Sequence, residues 1–105
     1  MSPEAFEKWI GSLFLGFGYK LSMTKTTHDG GIDLDGHSIG IGNERIVVQC
    51  KRYKPDSTVS VSDVRDLFGV VSGDNNISMG YLVTTGKFSK DAWEFAKDKR
   101  IRLMD

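Results

Sequence analysis

Apolar residues recur along this chain with two different periods, and the switches between them divide it into elements. Phe6, Trp9, Ile10, Leu13, Phe14 and Phe17 are spaced three and four apart, which puts them on one stripe of a helix facing a core. Ser2-Pro3-Glu4 is a helix start: a capping hydroxyl, a proline suited to the first helical position and an acid at the positive end. Gly16 and Gly18 end the helix. Tyr19 to Met23 alternates as a first strand, Thr24 to Thr27 is a polar connection, and His28-Asp29-Gly30-Gly31 is a turn. Ile32 to Asp35 is a second strand, with Ile32 and Leu34 on one face and Asp33 and Asp35 on the other. Ile39 and Ile41 fall out of phase with Ile32 and Leu34, so the glycine-rich stretch 36–42 is read as prolonging this strand with a bulge. A hairpin turn follows at Gly42-Asn43-Glu44. Arg45 to Lys51 is apolar enough to be a central strand.

The second half alternates helix and strand. Tyr53 to Thr58 is a loop, and Ser60-Val-Ser-Asp63 is a capping-box pattern with Val59 and Val64 as its staple. Val64, Leu67, Phe68 and Val71 give a second helix, closed by Gly73. Met79 to Thr84 is a fourth strand and Thr85-Gly86-Lys87 a loop. Ser89 caps a third helix, stapled by Phe88 and Trp93, with Ala92, Phe95 and Ala96 inward. Lys97, Lys99 and Arg100 complement its C-terminus, and Ile101 to Met104 is a last strand. The order is αβββαβαβ. A three-strand meander followed by two helical crossovers predicts an α/β fold, a mixed sheet with helices packed on it. Residues 1–105 read as a single domain.

Composition narrows the functional classes. Lys plus Arg and Asp plus Glu are 14 each, so the chain does not coat nucleic acid through global charge. Lys51-Arg52-Tyr53-Lys54 is nevertheless a local basic patch. A lone cysteine excludes an internal disulfide framework and fits a reducing, cytoplasmic setting. No apolar run approaches the ~20 residues of a membrane span, and the N-terminus lacks the basic region of a secretory signal.

The candidate chemistry lies on the second and third strands. Residues two apart share a strand face, so Gln49 and Lys51 project together and Cys50 projects oppositely. If the two strands pair, Asp33 joins them, and a carboxylate, an amide oxygen and an ammonium meet. That set suits a hard cation held beside a phosphate. Read alone, Asp33 is equally a turn-flanking acid, and Gln49 with Lys51 a solvated strand face. Asp35 is the rival ligand on Asp33's face, while Asp29 serves the turn. Glu7 lies on or beside the buried stripe of the first helix, either reaching water or aimed inward at a site. His28 and His37 have no partner at metal-ligand spacing. Cys50 reads as a buried core thiol, and Trp9 and Trp93 as packing residues. Arg52, Tyr53, Lys54, Lys87 and Lys90 are candidates for phosphate contact or a solvated basic face. Thr84 and Thr85 end a strand close to the candidate site, within reach of a nucleic-acid backbone.

The ordered set Asp29-Gly-Gly-Ile-Asp33, Val48-Gln-Cys-Lys-Arg-Tyr53 and Val83-Thr-Thr-Gly-Lys-Phe-Ser89 resembles the PD-(D/E)xK nuclease superfamily. Within it, the chain looks most like the catalytic domain of Mrr-type restriction endonucleases. The resemblance covers nearly the whole chain and implies a restriction-endonuclease-like three-layer core. It implies that Asp33 and Gln49 ligate metal with the Cys50 backbone carbonyl, that Lys51 is the catalytic lysine, and that Glu7 is the first-helix glutamate. Gln49 stands where most of the superfamily has glutamate, so metal binding should be weaker than at a two-carboxylate site. The implied activity is Mg²⁺-dependent DNA hydrolysis, with Mn²⁺ a substitute, within a restriction system. Arg52, Tyr53, Lys54, Thr85, Lys87 and Lys90 would bind DNA. A homodimer would cut two strands, and a recognition domain or partner outside these residues is expected. The alternatives are a nuclease selective for Holliday junctions and a non-catalytic nucleic-acid-binding module that keeps the fold.

Overall fold

The computed structural model describes residues 2–26, 31–40 and 42–105. Helix α1 spans Pro3–Gly16, and the Ser2 hydroxyl accepts from the Ala5 amide as its cap, 3.1 Å away. Strands β1 (Tyr19–Thr26), β2 (Gly31–Ser38) and β3 (Arg45–Lys51) follow as an antiparallel meander. Then come β4 (Thr58–Val59), α2 (Val61–Ser72), β5 (Ile77–Thr84), β6 (Lys87–Phe88), α3 (Lys90–Ala96) and β7 (Ile101–Met104). The main sheet has the order β1-β2-β3-β5-β7, with β3, β5 and β7 parallel. This is the mixed sheet expected from a meander followed by helical crossovers.

Each face of the sheet has its own core. Phe6, Ile10 and Phe14 of α1 pack against Leu34, Ile46, Val48, Cys50 and Val83. On the other face, Val64, Leu67 and Val71 of α2 and Ala92 and Ala96 of α3 cover Ile77, Leu82 and Ile101. The strict alternation along β3 drives this division. Ile46, Val48 and Cys50 are sealed under α1, leaving Val47 and Gln49 half-buried on the α2 side.

Several expectations are corrected. β1 continues through Thr24 to Thr26 instead of ending at Met23, whereas β2 is prolonged to Ser38 as expected. The bulge lies in β1, between Met23 and Lys25, and β2 pairs with β3 in unbroken register from Gly31 to His37. The chain leaves the strand only after Ser38, and Ile39 is 59% exposed. The chain reverses there through positive φ at Gly42 and Asn43, and the Ser38 amide donates to the Glu44 carbonyl. Residues 27–30, the proposed turn at His28-Asp29-Gly30, and Ile41 lie outside the described residues; Gly31 belongs to β2.

The expected loops around 58 and 87 contain β4 and β6, which pair in parallel over two residues each. Ser60 does not cap α2 with its side chain; its hydroxyl bonds that of Ser62, while Val59 and Val64 are fully buried as expected. Ser89 does cap α3, and Phe88 meets Trp93 edge-on. Trp9, Phe17 and Trp93 are only partly packed, each with 44% or more of its surface exposed. Of the basic residues after α3, Lys97 is its C-cap residue, while Lys99 and Arg100 serve other partners. Arg100 donates to the Val71 and Ile77 carbonyls, closing the end of α2, and Lys99 lies over the Phe95 ring at 4.1 Å.

Candidate functional site

In the β2–β3 register, Asp33 stands directly opposite Gln49. Cβ atoms of directly opposed antiparallel residues lie about 4.5–5.5 Å apart. The carboxylate and the amide therefore share one small region of the sheet. Both side chains line a cleft of about 320 Å³ between this face and α2, whose other walls include Leu67 and Val70. On its other side Asp33 has Lys25 as register partner, at the β1 bulge. A bulge bends the edge strand where it occurs and is over-represented beside active sites.

Lys51 ends β3 two residues beyond Gln49, opposite Gly31 on one side and Thr84 on the other. It is 9% exposed. Lysine is almost never so buried without partners, and neither Lys51 nor Asp33 is free of interactions. Cys50, between Gln49 and Lys51, points to the α1 face and is fully buried. Burial, then the negative charges of Asp33 and Glu7, push its thiol up to about 12. The core-thiol reading therefore holds.

Glu7 is half-buried on α1, the helix that packs on the Cys50 face. It approaches this end of the sheet from the opposite layer to Asp33 and Gln49, and both acids bear on the same thiol. Among the described residues, no three His, Cys, Asp or Glu side chains gather as a metal-binding group. The rival ligand Asp35 is already engaged: Arg45 bonds it at 3.2 Å and holds Asp74 at the same distance through its other terminal nitrogen. That bridge was invisible in the sequence because Asp74 lies within the first crossover, after α2. Asp66 of α2 also lines the cleft and was not singled out, since on its helix it reads as an ordinary exposed acid. His37 is exposed on β2, and His28 lies outside the described residues.

Part of the basic set lies just beyond the end of β3. Arg52, Tyr53, Lys54 and Thr85 line a second, open cleft of about 390 Å³, while Lys87 on β6 and Lys90 at the start of α3 are exposed nearby in sequence. The Thr84 hydroxyl donates to the Lys51 carbonyl at 2.8 Å, and the Thr85 hydroxyl bonds both polar backbone atoms of Tyr53.

Comparison with known proteins identifies the family and the fold. The type IV methyl-directed restriction enzyme EcoKMrr of Escherichia coli (strain K12) is 29% identical over 102 residues, covering 92% of this chain and 33% of that enzyme. The DNA modification-dependent restriction endonuclease AspBHI superposes with a TM-score of 0.73 at 25% identity, over 98% of this chain and 28% of its own. EndoMS in apo form shares the fold, with a TM-score of 0.71 at 16% identity over all of this chain and 46% of its own. The chain thus spans about a third or less of these two restriction enzymes. The family model of the Mrr catalytic domain, described as restriction endonuclease, matches residues 1–105, and the chain belongs to that family.

Proposed function

We propose that this chain is a divalent-metal-dependent DNA endonuclease domain acting at Asp33, Gln49 and Lys51. The observation that carries this reading is the direct pairing of Asp33 with Gln49, with Lys51 next along the same strand face. The donor set fits magnesium. One carboxylate and one amide oxygen are hard ligands on a common cleft, and magnesium is usually held by one or two carboxylates while keeping several waters. Asp33 and Gln49 would hold the ion, with the Cys50 carbonyl between them and Lys51 in the backbone. A bound ion would lower the pKa of its water and neutralise charge on the scissile phosphate.

Lys51 supplies a fixed positive charge for the phosphoryl oxygens. Its burial strengthens that interaction, because charges act more strongly out of water. Glu7 contributes negative potential from the α1 layer, consistent with its effect on Cys50. The basic loop at Arg52, Tyr53 and Lys54, with Lys87 and Lys90, binds the DNA backbone, while the Thr85 hydroxyl is taken up by the two polar backbone atoms of Tyr53. The names of the restriction enzymes matched above point to modified DNA as substrate. The chain covers a small part of those enzymes, so recognition of the modification falls to another domain or partner, and two copies would cut two strands.

The test is cleavage of methylated and unmethylated plasmid with Mg²⁺ or Mn²⁺. Asp33→Ala and Lys51→Ala are each expected to reduce the rate about a hundredfold or more. Cleavage that survives both substitutions would reject this site. Salt-dependent binding without cleavage under either metal would favour the non-catalytic reading.

A further inference from the structure

The strand hydrogen bonding between β3 and β5 ends at the Lys51–Thr84 pair, yet the chain beyond it is still pinned. The Gly86 amide donates to the Thr84 hydroxyl at 3.0 Å, and that hydroxyl donates to the Lys51 carbonyl at 2.8 Å. The Thr85 amide also donates to the Lys51 carbonyl, at 3.3 Å. One residue further on, the Thr85 hydroxyl accepts from the Tyr53 amide at 2.8 Å and donates to the Tyr53 carbonyl. The backbone on both sides of Arg52 is thus held by two consecutive threonine hydroxyls.

The neighbouring residues leave this arrangement little slack. A Cβ at position 86 would lie 2.5 Å from the Ser57 carbonyl and 3.2 Å from that of Lys54, so only glycine lets the two loops approach. The Lys87 amide then donates to the Ser57 carbonyl at 2.8 Å, and β4 and β6 pair immediately afterwards. Residues 51–59 and 84–88 therefore form one braced unit at the end of the parallel strands.

We propose that Thr84 and Thr85 are positioning residues. They clamp the 51–54 backbone so that the Lys51 ammonium and the cations of Arg52 and Lys54 are held in fixed relation before DNA arrives. This rests on the nuclease reading above for its consequence, though the clamp itself does not. Ordering the loop in advance removes that cost from the reacting complex, and small misplacements of a positioned group are costly to rate. Thr84 is 3% exposed, and its loss would leave buried groups unpaired. Thr85 is exposed, so water can take over its bonds and the fold survives. The informative variants are therefore Thr85→Val, which keeps the shape without the hydroxyl, and Thr85→Ser, which restores it.

Two readouts test the clamp. In Thr85→Val, the Tyr53 amide should exchange with solvent on the order of tenfold faster or more, with wild-type exchange retained in Thr85→Ser. In plasmid cleavage, Thr85→Val should lower kcat on the order of ten- to a hundredfold while KM stays within about threefold, and Thr85→Ser should recover most of the rate. Unchanged Tyr53 exchange overturns the clamp whatever the cleavage result. Faster exchange with unchanged kcat overturns the positioning role. A wild-type chain that cleaves nothing overturns the nuclease reading and with it the catalytic consequence, while Tyr53 exchange still decides whether the clamp exists.

Discussion

Replacing Gln49 with glutamate puts a second carboxylate directly across the strand pair from Asp33. With the charges about 5 Å apart, their repulsion is about 1 kcal/mol at the dielectric of water and about 3 kcal/mol at the value typical near a protein surface. Both side chains are half-buried on an open cleft, so the cost falls between these limits. For a domain of this size, each kcal/mol lowers the melting temperature by roughly 4–8 °C. Metal-free Gln49→Glu should therefore melt at least about 4 °C below wild type. A divalent cation reverses the balance, because affinity at oxygen sites follows the number of charged ligands. Magnesium should bind the variant about tenfold more tightly or better, and saturation to a hundred times Kd adds about 2.7 kcal/mol. Thermal denaturation across a magnesium titration reads both effects at once. If the variant shows neither the metal-free loss nor a larger magnesium response, the two side chains do not face each other and the proposed ion site is wrong.

Two further predictions concern the scaffold. Cys50 is pushed up to about 12, chiefly by burial and then by the charges of Asp33 and Glu7. The stability this confers is complete below the unfolded thiol's pKa of about 8.5 and is lost as pH rises through the folded value. At pH 8 a chromogenic thiol reagent should label native Cys50 only at the rate of unfolding; fast stoichiometric labelling of folded protein would contradict its place under α1. Arg100→Met removes two hydrogen bonds, to the Val71 carbonyl at the end of α2 and to the Ile77 carbonyl at the start of β5. The expected loss is about 1–2 kcal/mol in urea unfolding, and an unchanged midpoint would mean that solvent serves those carbonyls equally well.

The relation between Asp33 and Gln49 shows how far local pattern reaches. Alternation alone assigned Gln49 and Lys51 to one face of β3 and Cys50 to the other, and the structure keeps that assignment. The caps at Ser2 and Ser89 were equally legible, because a cap is satisfied within three residues. Ser60 shows the limit: its sequence context is a capping pattern, yet its hydroxyl turns to Ser62. Asp35 had the same credentials as Asp33 until Arg45 and Asp74 came together across the crossover.

By itself, the chain determined its periodicities, its helix starts, the faces of its strands and hence the mixed α/β architecture. These depend on interactions a few residues long, which the local order of side chains dictates. Only the tertiary structure decided which acid is left to face Gln49, where the β1 bulge falls, and how Thr84 and Thr85 grip the backbone after Lys51. Each of those joins residues about ten to more than thirty positions apart. Such partners are selected by how the sheet and its crossovers pack.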